Sequence, residues 1–383
     1  VFSLPPGDLS LYLHIPMCKS RCSYCGFYSE PTAVWEGRVA SYTERLVSEI
    51  DQLGTRDAPF YTLYIGGGDP ANLTVENLRL LLTAAQRQGR PREVTVEVNP
   101  ESFDESFFPL FEERLVTRLS MGIQTMDQAL LSVIGRRTTA ADNRRALSLA
   151  QEARARYGVD LSIDLMVALP NQTAAGAIRD IETVLSLCEA EHLSLYCLTV
   201  EEGTALARQV QDGTVTVADE DGQEAFLRSL WAHLHGLGFE HYEVSNFAKN
   251  GRYSRHNCVY WSLDDYLGLG SGAASTIGSF HWQQNQDLIG YTEANPFDGY
   301  EKEETDTWEQ AEEYLMMALR TTWGIDKVRF FERFGLDFDR MFSKAVARCE
   351  PTWYIDSAQN FAITEDGWMV LDEILVRLVM EIP

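Results

Sequence analysis

Six short apolar runs, rich in β-branched and aromatic residues and mostly separated by helical patterns, constrain this chain's fold more than any other feature. They cover residues 11–15, 60–65, 94–98, 118–123, 161–167 and 193–198. Between the first two, Val39, Tyr42, Leu46, Ile50 and Leu53 step by three and four, which is one face of a helix. Residues 78–85, 140–153 and 178–187 read as later helices, and a shorter link lies around 107–111. Strands that alternate with helices pair in parallel through right-handed crossovers. Six strands fall short of the eight that close a full barrel. The expected fold is therefore α/β, an open (β/α)6 partial barrel. Its chemistry belongs on the loops at the C-terminal ends of the strands.

The unusual residues fall at those ends. After the first strand, Cys18, Cys22 and Cys25 follow as C-x3-C-x2-C. Three thiolates this close can ligate three irons of a [4Fe–4S] cluster, and without a fourth cysteine nearby one iron lacks a protein ligand. The alternative is structural zinc with His14 as fourth ligand, although such sites usually take paired short spacings. Gly66-Gly67-Gly68 follows the second strand. Lacking Cβ atoms, it lets backbone approach a ligand; a tight loop is the plainer reading. Glu97 and Asn99 end the third strand and Gln124 the fourth, while Asp164 lies in the fifth. A carboxylate inside an apolar strand is costly unless hydrogen-bonded, so Glu97 needs a partner, which a salt bridge would also supply. Gln124 and Asp164 can bond ribose hydroxyls, and Arg136 can pair with a carboxylate.

At 383 residues the chain can bury one large core and a smaller one. Seven cysteines, three of them clustered, are not a disulfide framework, and a reducing cytoplasm is expected. Cys188, Cys197, Cys258 and Cys349 read as small buried apolar residues. The net charge of −25 opposes binding to nucleic acid or anionic lipid through bulk electrostatics. No apolar run reaches membrane-spanning length, and VFSLPPGDLS has neither the basic nor the long apolar region of a signal peptide.

Beyond Glu201 the pattern changes. Residues 218–237 read as one amphipathic helix, YEVSNFAKNGRYSRHNCVYW as an aromatic-rich loop, and YLGLGSGAAS as a glycine-rich run. From Asp298 a small, mostly helical, winged-helix-like domain is expected, with a helix over 307–323 and a closing hairpin and helix. The chain thus divides into 1–297 and 298–383.

Together, LYLHIPMCKSRCSYC, YIGGGDP, VTVEVNP, RLSMGIQT, IDLMVALPNQT and HLSLYCLTVEEGT resemble one branch of the radical S-adenosylmethionine (SAM) superfamily. That branch holds the coproporphyrinogen oxidases and the haem chaperones, and the tail is similar to their C-terminal, HemN-like domain. The resemblance implies a [4Fe–4S] cluster on Cys18, Cys22 and Cys25, with S-adenosyl-L-methionine on the open iron. It puts Tyr12 beside the cluster and Tyr24 beside the adenine. Gly67, Gly68 and Asp69 would meet the methionine part, and Glu97, Gln124, Arg136 and Asp164 the rest of SAM. Relatives usually read GGGTP where this chain has GGGDP, so Asp69 offers a carboxylate in place of a hydroxyl.

Two features separate the branches. The decarboxylating oxidases resemble C-x3-C-x2-C-x-C, and Phe27 stands at the last position here. The segment RHNCVYW contains HNxxYW, which resembles the haem-binding signature of the chaperones. Imidazole from His256 is a good axial ligand. Tyr260 and Trp261 offer flat apolar faces. Asn257 can bond a propionate or orient the histidine, and Cys258 is a softer competing ligand. A satisfied core histidine is the plain reading of such a residue; the family context favours haem. Gly26 stands where relatives often have Asp, and Ala274 and Thr138 where they often have His. The implied function is a haem chaperone with client haemoproteins, membrane-bound respiratory proteins among them, and a homodimer as its assembly. The alternative is a radical enzyme that decarboxylates coproporphyrinogen.

Overall fold

The computed structural model describes residues 7–54 and 57–382. All six expected strands form: β1 Ser10–Ile15, β2 Thr62–Gly67, β3 Glu93–Val98, β4 Arg118–Gln124, β5 Asp160–Val167 and β6 His192–Cys197. They lie side by side in chain order, each parallel to the next. Alternation along β1 shows why. Leu11, Leu13 and Ile15 share one buried core with Tyr42 and Leu46 of the helix Val39–Gln52. Tyr12 and His14 point to the other face, into the barrel. The helix Ala140–Tyr157 opens on a capping box between Thr139 and Asp142 and stops at Gly158, which adopts φ 72°.

The sheet is wider than six strands. YEVSNFAKNGRYSRHNCVYW is not a loop: it forms the hairpin β7 Glu240–Glu243 and β8 Asn246–Ala248, then a helix Arg255–Trp261. Its strands are too short and too aromatic for period-two alternation to stand out. The glycine-rich run supplies β9 Tyr266–Leu269, a seventh parallel strand outside β1. There Gly268 lies so close to the Ala274 carbonyl that a Cβ has no room. Antiparallel β10 Ala274–Ile277, β11 Phe280–Gln284 and β12 Tyr300–Glu304 extend that edge. The order is β12-β11-β10-β9-β1-β2-β3-β4-β5-β6-β8-β7, open at both edges.

After β12 come the helices Thr307–Ala318, Lys327–Phe334, Phe338–Val346 and Leu371–Val379, around a small sheet of Ile325–Asp326, Tyr354–Asp356 and Asn360–Ile363. Phe330, Phe342, Phe361 and Trp368 anchor a second core there. Cys188 and Cys349 are buried as expected, whereas Cys197 and Cys258 are only half-buried. Among the described residues no helix is long and apolar enough to cross a membrane.

Candidate functional site

The cysteine loop lies where β1 and β2 end. Met17 and Cys18 pair with Glu30 and Pro31, which folds the loop back on itself. The Cys25 amide donates to the Cys22 carbonyl at 3.3 Å, and Trp35 Nε1 donates to the Cys18 carbonyl at 3.3 Å. Burial pushes the Cys18 thiol up to about 11 and raises that of Cys25. Metal binding draws such protons off, because thiolate is the ligand form. Behind the loop, the amides of Gly68 and Asp69 donate to the carbonyls of Ile15 and Met17, both at 2.9 Å. A Cβ on Gly68 would stand 2.8 Å from the Met17 carbonyl oxygen and 2.9 Å from that of Ile15. Three free, half-buried cysteines on one loop beside a bare-backbone cradle fit a [4Fe–4S] cluster with a small chelating ligand. His14 turns inward: Nδ1 meets the Tyr12 hydroxyl at 2.7 Å and its ring stacks on Tyr28.

Glu97 has both carboxylate oxygens partnered, one by the Tyr64 hydroxyl at 2.5 Å and one by the Gly67 amide at 3.0 Å. Burial still raises its pKa. Asp69 is buried, and its Oδ1 accepts from the amides of Ala71 and Asn99, both at 3.3 Å. One oxygen of this departure from GGGTP therefore caps the turn Pro70–Leu73 and ties it to the end of β3. Arg136 Nη2 donates to the Gly122 carbonyl at 2.6 Å and to Asn99 Oδ1 at 3.1 Å, and Nη1 lies 3.7 Å from Cys22 Sγ. Burial opposes its charge, but Tyr24 and Cys22 hold its pKa above the ordinary value. Gln124 closes β4 at φ 63°, a region non-glycine residues seldom visit. Tyr24 packs with Ile134, Met166, Leu169 and Leu198. Tyr12 lies inside the barrel, its ring 6.1 Å from Tyr64 and 6.3 Å from His256. Sequence reasoning missed Tyr64 and Ser120, polar residues that alone carry no signal.

Asp164 accepts from Ser120 Oγ at 3.4 Å. Burial raises its pKa to about 7, with the nearby Glu97 adding to the rise. An unfolded aspartate titrates near ~3.9, so the folded state holds the proton more tightly between these values. Stability is therefore lost as pH climbs from about 4, and the loss is complete above about 7. Asp164→Asn removes this penalty. Thermal melts should show the variant gaining over wild type at pH 8 and gaining less at pH 5; a gain independent of pH would assign that titration elsewhere.

The HNxxYW segment lies at the opposite end of the barrel. The helix Arg255–Trp261 packs beneath the first residues of β2, β3 and β4. Glu93 accepts from the amides of Arg255 at 3.2 Å and His256 at 3.0 Å, and from Arg118 Nε at 3.0 Å. Arg118 Nη2 in turn donates to the carbonyls of Arg252 and Tyr253, each at 2.8 Å. His256 is 0% exposed. Its Nδ1 meets Thr62 Oγ1 at 2.7 Å and its Nε2 meets the Tyr260 hydroxyl at 2.8 Å. Burial lowers its pKa to about 3. Neither nitrogen is open to an iron in this conformation, because Tyr260, one helical turn on, and Thr62 of β2 satisfy the ring inside the barrel floor. Trp261 is buried against Tyr242 and Ala248, and Asn257 is half-buried.

The more accessible face is the other one, where Arg255 is exposed, Cys258 and Ser262 are half-buried and Val259 is buried. Arg255, Cys258, Val259 and Ser262 step by three and four and line a cleft of about 180 Å³ with Tyr61 and Tyr253. It shares Tyr61, Val259 and Asp264 with a cleft of about 470 Å³ that Asp8, Asp265 and Arg333 also line. The larger one falls within the usual range of ligand pockets.

The family model of the radical SAM superfamily matches residues 12–184, and that of the HemN C-terminal domain matches 306–370. The heme chaperone HemW of Bacillus subtilis is 30% identical over 383 residues, covering 97% of this chain and 100% of that protein. The mouse mitochondrial radical S-adenosyl methionine domain-containing protein 1 is 39% identical over 272 residues, 69% of this chain and 60% of that protein. The solved structure of Escherichia coli coproporphyrinogen III oxidase (HemN) superposes with a TM-score of 0.80 at 19% identity, covering 98% of this chain and 91% of that one. That likeness establishes the shared fold.

Proposed function

The chain belongs to the HemW family of radical SAM proteins, and on that premise we propose that it is a haem chaperone. It holds a [4Fe–4S] cluster on Cys18, Cys22 and Cys25, binds haem at the far end of the barrel, and passes it to a client haemoprotein. When bound, the cluster supplies one-electron reduction of SAM. Gly67 and Gly68 present bare backbone to the methionine part, with the buried carboxylate of Asp69, also bonded by Ser102, beside them. Arg136 stands beside Cys22, 3.7 Å from its sulfur, and can pair the carboxylate. Gln124 and Asp164 take the ribose, Tyr24 the adenine, and Glu97 with Tyr12 the inner wall. Membrane-bound clients and a homodimer belong to the same reading. The division into 1–297 and 298–383 belongs to it as well, with residues 300–304 of the second part adding β12 to the barrel sheet.

One observation carries this reading: the haem signature and the cysteine loop sit at opposite ends of β1, about 20 Å apart for a six-residue strand. An enzyme that oxidises a porphyrin needs its substrate at the SAM end; a carrier does not. Haem docks on the accessible face of the segment. There Arg255 reaches a propionate, Tyr61 and Tyr253 offer flat faces, and Cys258 presents sulfur to the iron, while Arg333, which donates to the Ser262 and Leu263 carbonyls, stands with Asp8, Asp264 and Asp265 around the larger cleft. His256, Tyr260 and Trp261 position that helix.

Haem titration of cluster-loaded protein tests this. Cys258→Ala should shift the Soret band and weaken binding about tenfold, equivalent to ~1.4 kcal/mol. His256→Ala should lower Tm more than it moves the Soret band. The reverse pattern would put the iron on His256 after a rearrangement of the segment. Wild-type protein without a Soret band, or with coproporphyrinogen decarboxylation matched by 5′-deoxyadenosine, would replace the chaperone with the enzyme.

A further inference from the structure

We infer that His235, His241 and Glu365 form a divalent-cation site, of the kind that takes Zn2+, at the seam between the barrel and the C-terminal unit. Their donor atoms all lie within 4.8 Å of one another. Three separate elements supply them: the last turn of the helix Glu220–Gly236, strand β7, and the short helix Glu365–Trp368. Glu365 Oε1 lies 2.8 Å from His235 Nε2 and 2.6 Å from His241 Nδ1.

The setting of His241 singles this cluster out. Its ring is buried, stacked on Phe247 at 4.0 Å and flanked by Trp231 at 4.6 Å and Trp368 at 4.8 Å. Its Nε2 faces the Val244 carbonyl at 3.1 Å. A carbonyl oxygen only accepts, so Nε2 carries the ring proton. Nδ1 then faces the Glu365 oxygen at 2.6 Å, a gap that either a second ring proton or a metal ion bridges, and a metal that binds here displaces that proton. A backbone carbonyl behind the far nitrogen is also what fixes the tautomer of metal-ligating histidines.

Two imidazoles and a carboxylate are a zinc ligand set, with the fourth tetrahedral position left to water or another ligand. Zinc bonds of about 2.0–2.2 Å spread tetrahedral ligands to about 3.3 Å, so Glu365 must retreat slightly. Its half-buried place and the exposure of His235 permit that. A bound ion would fasten the two units beside the Arg228–Asp366 ion pair, itself at 2.7 Å. The sequence hid this site, because Glu365 lies 124 residues beyond His241.

The test titrates Zn2+ and then Co2+ into the full chain with its iron–sulfur cluster assembled, so that the cysteines are occupied. Wild type should bind one ion, gain Tm, and give cobalt d–d bands without thiolate-to-cobalt charge transfer. His235→Ala, at an exposed position, and Glu365→Gln should each lower affinity by more than the ~10–100-fold typical of losing a supporting hydrogen bond. They should also lose the zinc-dependent gain in Tm. Three results overturn the inference: no bound zinc, the same binding in both variants, or a cobalt spectrum dominated by thiolate charge transfer.

Discussion

Cys22→Ala is expected to abolish the iron–sulfur chromophore and 5′-deoxyadenosine formation while leaving haem affinity within about twofold of wild type. The first half follows from ligand count. Three thiolates hold three irons, and two cannot fix the cluster with one iron open. Cys22 is also the thiol that Arg136 touches, at 3.7 Å, so its loss removes one of the links between the cysteine loop and the ends of β3 and β4. The second half follows from geometry. The loop and the helix Arg255–Trp261 contact opposite ends of the strands, and perturbations at well-separated sites add nearly independently. The measurement is a paired one, with visible absorbance of the reconstituted protein and haem titration on the same sample. Haem affinity that collapses with the cluster would mean that haem sits at the cysteine end, or that the two ends are coupled.

What the sequence revealed, and what it hid, divides along contact distance. The six strands are legible as short apolar runs, and the helix Val39–Gln52 by apolar residues that step by three and four. Cys18, Cys22 and Cys25 were legible because all the donors lie in one loop. Glu97 announced its need for partners by being charged in an apolar strand, but not that Tyr64 and the Gly67 amide supply them. The interior place of His256 was illegible, because it depends on Thr62, 194 residues away. HNxxYW reads as a ligand motif when only its residue types are seen. In the fold, the histidine is a floor beam and the helix presents Arg255 and Cys258 outward. Likewise Asp69 reads as a ligand contact, yet the turn it caps takes one of its oxygens.

Glu93→Ala is expected to cost about 3–5 kcal/mol of stability and to remove most haem binding while leaving the cluster chromophore in place. Glu93 and Arg118 form an ion pair at 3.0 Å with side chains only 6% and 2% exposed. Removing one partner of a buried pair leaves the other charged and uncompensated, a far larger effect than losing a surface pair. Arg118 already has an Nη1 without a hydrogen bond, so no spare acceptor waits to replace the carboxylate. The same carboxylate receives the amides of Arg255 and His256, two donors at the start of the helix that the helix itself does not satisfy. Truncation therefore loosens the barrel floor and the cleft face together. Glu93→Gln keeps an acceptor for those amides but loses the charge opposite Arg118, so it should destabilise strongly while retaining part of the haem affinity. Chemical denaturation and haem titration of the two variants separate the effects. If Glu93→Ala binds haem like wild type, the helix Arg255–Trp261 is held by His256 and Tyr260 alone, and the cleft does not depend on the ion pair beneath it.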